Sequence, residues 1–488
     1  MRVDHPLRVV AAAVDFTFVR EEVAMFYGRN GNESVDPAVL MKMMFLLFFD
    51  DIASERELMK IIAERLDYLW FLGYGLDDSI PDHSVLSKAR ARWGEAVFES
   101  LFVRTIERCV KAGLVDGKKL HMDSSLVDAD ASRDSIKRTS PELVTALKRA
   151  YLVQRGKLGD CSTEDTNGSI GGGAENKSAT ESPEYSVKGT SQRVINATHV
   201  STTDPDAAVF RGGPGTARAR YKQHYSVDDA HGVITAVTTT AADIDDGTQV
   251  KALLERHEKN TEMVVTTLVA DSKYGTIDNF VACQKAGIRT HMADLAATQR
   301  GTGRQDGIFS EDQFVYDAQS DTFQCPAGQI LRGRRLHSIR RTTEYVTRKG
   351  VCARCELRSQ CTRSKSGRTI HRHEDHELLA RARAQAASPA AKRDRRRRKH
   401  LVEGRFADAA NNHHLKRARW RGFHRQQVQA HLIAACQNIR VLLARGVATP
   451  EAAKIAMFAA SVIVSLHQNH SFLELPASPI TPKYVVRK

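Results

Sequence analysis

Three carboxylates in this chain are placed where they could share metal ions. Asp123 follows the apolar residues of "KKLHMDSSLVDAD", Asp271 follows those of "MVVTTLVADSKYG", and Glu403 lies in "RRRRKHLVEGRF", beside the densest positive charge in the sequence. Carboxylate oxygens suit Mg²⁺ or Mn²⁺, which keep positions open for water and phosphate. Two such ions activate a nucleophile and stabilise the leaving oxygen of an in-line phosphoryl displacement. Either aspartate alone is more commonly a helix cap or turn residue, and a lone glutamate among arginines is often half of a salt bridge. Helical spacing favours the metal reading for Glu403. Arg396, Lys399 and Glu403 share one face of a helix, and Val402, Phe406 and Ala409 form another. The apolar face can pack on a sheet edge while the glutamate turns toward the aspartates and Arg396 and Lys399 hold phosphates.

The elements that must position these groups can be read from the pattern. Residues 1–116 read as helical. Asp36 before Pro37 is a cap followed by a first-turn proline, and Ser54 with Glu57 forms a capping box ahead of Leu58, Ile61, Ile62 and Leu66. A third start lies near "PDHSVLSKARARW", with Lys88, Arg90 and Arg92 expected to be exposed. These short helices suit either a helix-turn-helix DNA reader or a plain bundle. After Gly117 come a strand ending in acid, two β-rich segments ("RYKQHYSVDD", "GVITAVTTTAA"), a helix over "DDGTQVKALLERHEKN", the strand before Asp271, a helix closed by Gly287, and a last strand at "IRTHM". That order, with the final helix delayed to about residue 392, is the order of an α/β ribonuclease-H-like domain, whose strand ends gather ligand-binding groups.

The formal net charge is +14, and most of it is local: between Ala391 and Arg425 there are 13 Lys/Arg against 3 Asp/Glu. Excess charge concentrated in this way points to an anionic partner, with nucleic acid first. The opening residues make a poor signal peptide, and "VLMKMMFLLFFDD" is too short to span a bilayer and includes Lys42. We therefore expect a soluble intracellular protein with no membrane partner.

The ordered motifs resemble a DDE transposase of a bacterial insertion sequence. "RELMKIIAERLDYLWFLGYGLDDSIPDHSVLSKARAR" resembles the helical N-terminal domain of that group, and "HMDSSLVDADAS" and "VADSKYG" resemble its two aspartate motifs. "RRRRKHLVEGRF", "RARWRGFHR" and "CQNIRVLL" resemble its glutamate helix and the C-terminal segments after that helix. The resemblance implies a ribonuclease-H-like fold and two Mg²⁺ or Mn²⁺ ions held by Asp123, Asp271 and Glu403. It further implies cutting and rejoining of double-stranded DNA at element ends and target, a dimer on DNA, and a cytoplasmic, nucleoid-associated location in a bacterium. A degenerate or co-opted DNA-binding copy, or a related nuclease that cuts without joining, would share these motifs. Relatives carry a Tyr–Arg–Glu–Lys signature on the glutamate helix. Here its other three positions are Arg396, Lys399 and Ala410, so the lysine is missing. Lys416 or Arg417 could substitute for it, and with Arg421 they extend the expected DNA contacts.

Cys325, Cys352, Cys355 and Cys361 form a cluster with a single Cys-x-x-Cys pair. They read either as a tetrahedral Zn²⁺ site or as unmetallated thiols, with His371 and His373 as substitute ligands. Cys109, Cys161, Cys283 and Cys436 read as buried or incidental. The expected organisation is helical at 1–116 and catalytic at 117–295, with 134–218 a largely flexible insertion. A cysteine-rich insert at 296–390 comes next, then catalytic helices at 391–446 and a terminal helix and tail at 447–488.

Overall fold

The computed structural model describes residues 1–2, 4–27, 34–160, 191–212, 216–295 and 308–445. The expected terminal helix and tail, Cys161 and the most Gly- and Ser-rich part of the 134–218 insertion lie outside these residues. At the N-terminal side, helices span Pro6–Ala13 (α1), Phe18–Glu22 (α2), Pro37–Phe49 (α3), Glu55–Glu64 (α4), Leu66–Leu72 (α5), Ser84–Trp93 (α6) and Ala96–Lys111 (α7). Local signals start them as expected: the Asp36 side chain accepts the Ala38 N–H, and Ser54 Oγ accepts the Glu57 N–H. Arg90 departs from expectation. It is buried, paired with Glu55 and stacked 4.0 Å above the Trp420 ring, because α6 packs against the C-terminal segment rather than facing solvent.

The large sheet contains β1 (Lys119–Asp128), β4 (Ala208–Phe210), β5 (Arg218–Asp228), β6 (Ile234–Ala241), β7 (Thr267–Val269) and β8 (Arg289–Thr290). Its central order is β6-β5-β1-β7-β8, with β4 sharing the outer edge of β5. β5 runs antiparallel to β1 and β6, whereas β7 and β8 are parallel to β1. Between β1 and β4, the described parts of the expected flexible insertion hold β2 (Ile136–Arg138) paired with β3 (His199–Ser201), and helices α8 (Pro141–Asp160) and α9 (Ser191–Thr198). A Ser135–Ser201 hydroxyl contact of 2.8 Å pins this small ladder.

One sheet face buries Leu120, Met122, Leu268 and Ala270 with residues of α10 (Val250–Thr261) and α11 (Ile277–Lys285). Beyond β8, a separate five-stranded antiparallel sheet runs β9 (Val315–Asp317), β10 (Thr322–Gln324), β11 (Ile330–His337), β12 (Thr342–Val346) and β13 (Thr369–His373), with the short α12 (Arg358–Cys361) before its last strand. Its own small core is Phe314, Phe323, Leu331, Tyr345 and Ile370. Helix α13 (His376–Ala387) returns the chain to the large sheet, followed by α14 (Pro389–Asn412) and α15 (Phe423–Ala444). Residues of α14 and α15 share one continuous core with α1, α3–α7 and β5–β6. No helix among the described residues is long and apolar enough to cross a membrane.

Candidate active site

The two aspartates meet because of strand register. In the parallel β1–β7 pair, His121 is level with Val269, and carrying that register two residues further sets Asp123 beside Asp271. Residues two apart on a strand share a face, so both aspartates lie on the face opposite Leu120, Met122, Leu268 and Ala270. The Asp271 carboxylate accepts the Lys273 N–H at 2.9 Å, which folds the chain into a turn just past the strand. Gly275 completes that turn, since a Cβ there would lie 1.9 Å from the Ala293 carbonyl oxygen. Burial pushes the Asp123 carboxyl above the ordinary carboxylate range and repulsion from Asp271 adds to this, while Arg398 and the Ser124 N–H oppose it. Tyr274 is buried, and its hydroxyl is pushed up by burial and by Asp246, Asp123 and Asp271.

Helix α14 crosses the aspartate-bearing face. Ser388 caps it by accepting the Ala391 N–H, and Pro389 occupies its first turn. Its buried residues are Ala391, Arg398, Val402, Phe406 and Ala409, so the apolar face packs as the spacing predicts. Phe406 stacks on Tyr225 at 4.4 Å between ring centroids, and Tyr225 is the cross-strand partner of Asp123. The side chain that reaches the site from this helix is Arg398, whose guanidinium donates to Asp123. Glu403 is exposed. Among the described residues no three His, Cys, Asp or Glu side chains come close enough to hold one ion. Helical phase explains this. At about 100° per residue, Glu403 is turned away from buried Val402, whereas Arg398, four residues earlier, stays within about 40° of it. In donor type and placement the two aspartates fit a divalent cation: hard oxygens side by side, one midway along β1 and one just past the end of β7, the first raised by burial and by its neighbour.

The expected phosphate contacts fall into two sets. Arg396 and Lys399 are exposed and have no ion pair among the described residues. Lys416 donates to Ser125 Oγ at 2.8 Å, two residues beyond Asp123 on the same face of β1, while Arg417 and Arg421 both pair with Asp130. Sequence reasoning missed Arg398 and Tyr274. The run Arg395–Arg398 carried no phase signal by itself, but counting four residues back from the Val402–Phe406–Ala409 stripe would have found Arg398.

Cys325, Cys352, Cys355 and Cys361 line one hollow in the small sheet with Phe309, Phe314 and Arg368. Burial pushes the Cys361 thiol up, the other three cysteines add to the shift, and Arg368 opposes it. His371 is exposed, and the buried His373 accepts the Asp375 N–H, so neither histidine lines this hollow. Cys109, Cys283 and Cys436 are buried, as expected.

Fold and site together define a mixed α/β chain with a helical N-terminal region, two aspartates on adjacent strands of its large sheet lying beneath a strongly basic helix. Two family models match it, a transposase domain (DUF772) over residues 1–92 and a transposase DDE domain over residues 324–443. Both models are of transposases, and their presence in this order is consistent with a DDE transposase, a protein of mobile DNA elements that acts in DNA transposition. Comparison with curated proteins and with solved structures gives no match.

Proposed function

We propose that the chain is the transposase of a bacterial insertion sequence, binding the ends of its element as a dimer and catalysing DNA strand cleavage and strand transfer. The observation that carries this reading is the juxtaposition of Asp123, midway along β1, and Asp271, just past the end of the parallel β7, beneath α14. Bound Mg²⁺ or Mn²⁺ supplies nucleophile activation and leaving-group stabilisation in such a site. Asp123 and Asp271 would hold it, and Glu403 is assigned as third ligand from its place in the signature. Arg398 orients the Asp123 carboxylate, while Arg396 and Lys399 face solvent where DNA phosphates can approach. Lys416, whose ammonium donates to Ser125 two residues beyond Asp123 on β1, or Arg417 stands in for the missing signature lysine at Ala410. The thiols of Cys325, Cys352, Cys355 and Cys361 fit a structural Zn²⁺ in kind. The proposed divisions remain those read from sequence, 1–116, 117–295, 296–390, 391–446 and 447–488.

A second reading, a copy that binds DNA without cutting it, is favoured by Ala410. One assay separates the two. Purified protein is incubated with Mg²⁺ and a duplex carrying the element's terminal repeats. Cleavage that disappears in Asp123→Ala, Asp271→Ala and Glu403→Ala supports the enzyme. Binding without cleavage supports the second reading, and equal cleavage by all three variants refutes the site assignment. Metal analysis of the same preparation tests the cysteine site, with zinc content expected to fall in Cys352→Ser.

A further inference from the structure

The small sheet projects a hairpin that neither metal site uses. Strands β11 and β12 are joined through Ser338–Arg341, where the Arg341 N–H closes a turn onto the Ser338 carbonyl at 3.2 Å and Arg341 itself adopts a φ of 50°. A four-residue loop built on a turn and ending in a left-handed residue leaves its two middle side chains directed outward. Those two are Ile339 and Arg340, and Ile339 is 94% exposed. A register irregularity between Gly333 and Arg335 lies just before the tip. Bulges of this kind bend a strand and increase its twist, and the next apolar residue, Leu336, is 65% exposed.

Charge around this apolar tip has one sign. Residues 330–341, "ILRGRRLHSIRR", hold arginines at 332, 334, 335, 340 and 341 and no acid. Arg334 is tied to Glu344, and Arg341 to Glu374 and Asp375. Asp375 also binds Lys285 at the end of α11, which ties the turn end of the hairpin to the large sheet's helices. Arg332, Arg335 and Arg340 are exposed and have no ion partner among the described residues. The hairpin is therefore fixed through Arg341 at its turn, with Ile339 left exposed beside that anchor and unpaired cations along its sides.

We propose that the β11–β12 hairpin is a DNA-docking element: Ile339 wedges between base steps from the minor groove while Arg332, Arg335 and Arg340 hold the flanking phosphates. Apolar wedges set among arginines are the chemistry by which proteins unstack a step and kink a duplex, and the unpaired cations make a polyanion the fitting partner. This inference rests on the reading that the chain works on duplex DNA, and its test separates the two. The full chain is titrated with a short mixed-sequence duplex labelled at both ends for energy transfer, across a range of salt concentrations. Wild type is expected to bind and to bend the duplex by roughly 20–90°. Ile339→Ala should bind with the same salt slope and lose the bend. Arg335→Ala and Arg340→Ala should each weaken binding roughly tenfold near 0.1 M salt and lower the slope by about one. An unchanged bend in Ile339→Ala, or unchanged slopes in both arginine variants, overturns the wedge and leaves the transposase reading intact. A change in oligomeric state of Ile339→Ala with no change in bending also overturns it, reassigning the tip to a contact between copies. Wild type that binds no duplex removes the DNA reading and the wedge together.

Discussion

Around the large sheet burial pushes Asp123 and Asp228 up and Asp204 to about 6, while Asp229, Asp246 and Asp394 are pulled down by their partners. In the small sheet Asp317, Asp321 and Glu344 are all pulled down by donors. Asp321 accepts hydroxyls from Tyr345 at 2.5 Å and Tyr316 at 2.7 Å, and Glu344 is held down by Arg334. Their arginines differ in the same way. Arg398 and Arg90 are buried in pairs, while Arg332, Arg335 and Arg340 face water. A deep core can hold charge where chemistry needs it, at the cost of desolvation. A thin sheet with a five-residue core keeps its charges outside, where they are available to a partner.

Four perturbations would break or sharpen this contrast. Arg398→Ala should act most strongly. It leaves Asp123 buried beside Asp271 with no counter-charge, and losing one partner of a buried pair costs about 3–5 kcal/mol. Urea unfolding should register that loss, and added Mn²⁺ should restore part of it; equal stability with and without Arg398 would mean the pair is not buried in solution. Next come Phe406→Ala and Phe323→Ala, each costing about 3 kcal/mol. Hydrogen exchange should place the first in the helices over the large sheet and the second in β9–β13 alone. Spread of the second effect into β1 and β5 would show that the two cores are one.

Acidity should then divide the sheets. The folded pKa of Asp204 lies above its unfolded value, so its contribution is present in acid and lost as pH rises through about 6. The effect is on the order of 2 kcal/mol and should vanish in Asp204→Asn. Asp321 has the opposite sign: its contribution is present above the ordinary carboxylate range and lost as pH falls through its depressed folded value. Exchange measured from pH 7 downward should therefore loosen the small sheet around Asp321, while the contribution of Asp204 to the large sheet grows. The smallest effect is expected from Arg334→Ala, about 0.5 kcal/mol or less, because its pair with Glu344 is exposed on the arginine side.

Features encoded by neighbouring residues were legible in the sequence. The caps at Asp36 and Ser54 depend on contacts two or three residues away, and each was read at its helix start. Asp123 and Asp271 were legible because each follows a short apolar run, although β1 continues through Asp123 to Asp128, and the order of strands and helices set the two strands side by side. The apolar stripe of α14 was legible, but where that stripe would seat on the sheet was not. It depends on Phe406 meeting Tyr225, a contact between distant segments, and it turns Arg398 inward while Glu403 faces out. Arg90 was misjudged for the same reason, since Trp420, which covers it, lies far away in the chain. The wedge-like tip was only half visible, because charge can be counted from sequence but the exposure of Ile339 cannot.

Helix α15 packs against α3, α7 and β6, so elements near the start of the chain are sealed by one that emerges late from the ribosome. Apolar surfaces of the first helices must wait, unsatisfied, until about residue 444 has been made. A nascent chain stalled before α15 therefore leaves apolar surface of these elements uncovered, the condition under which incomplete chains aggregate.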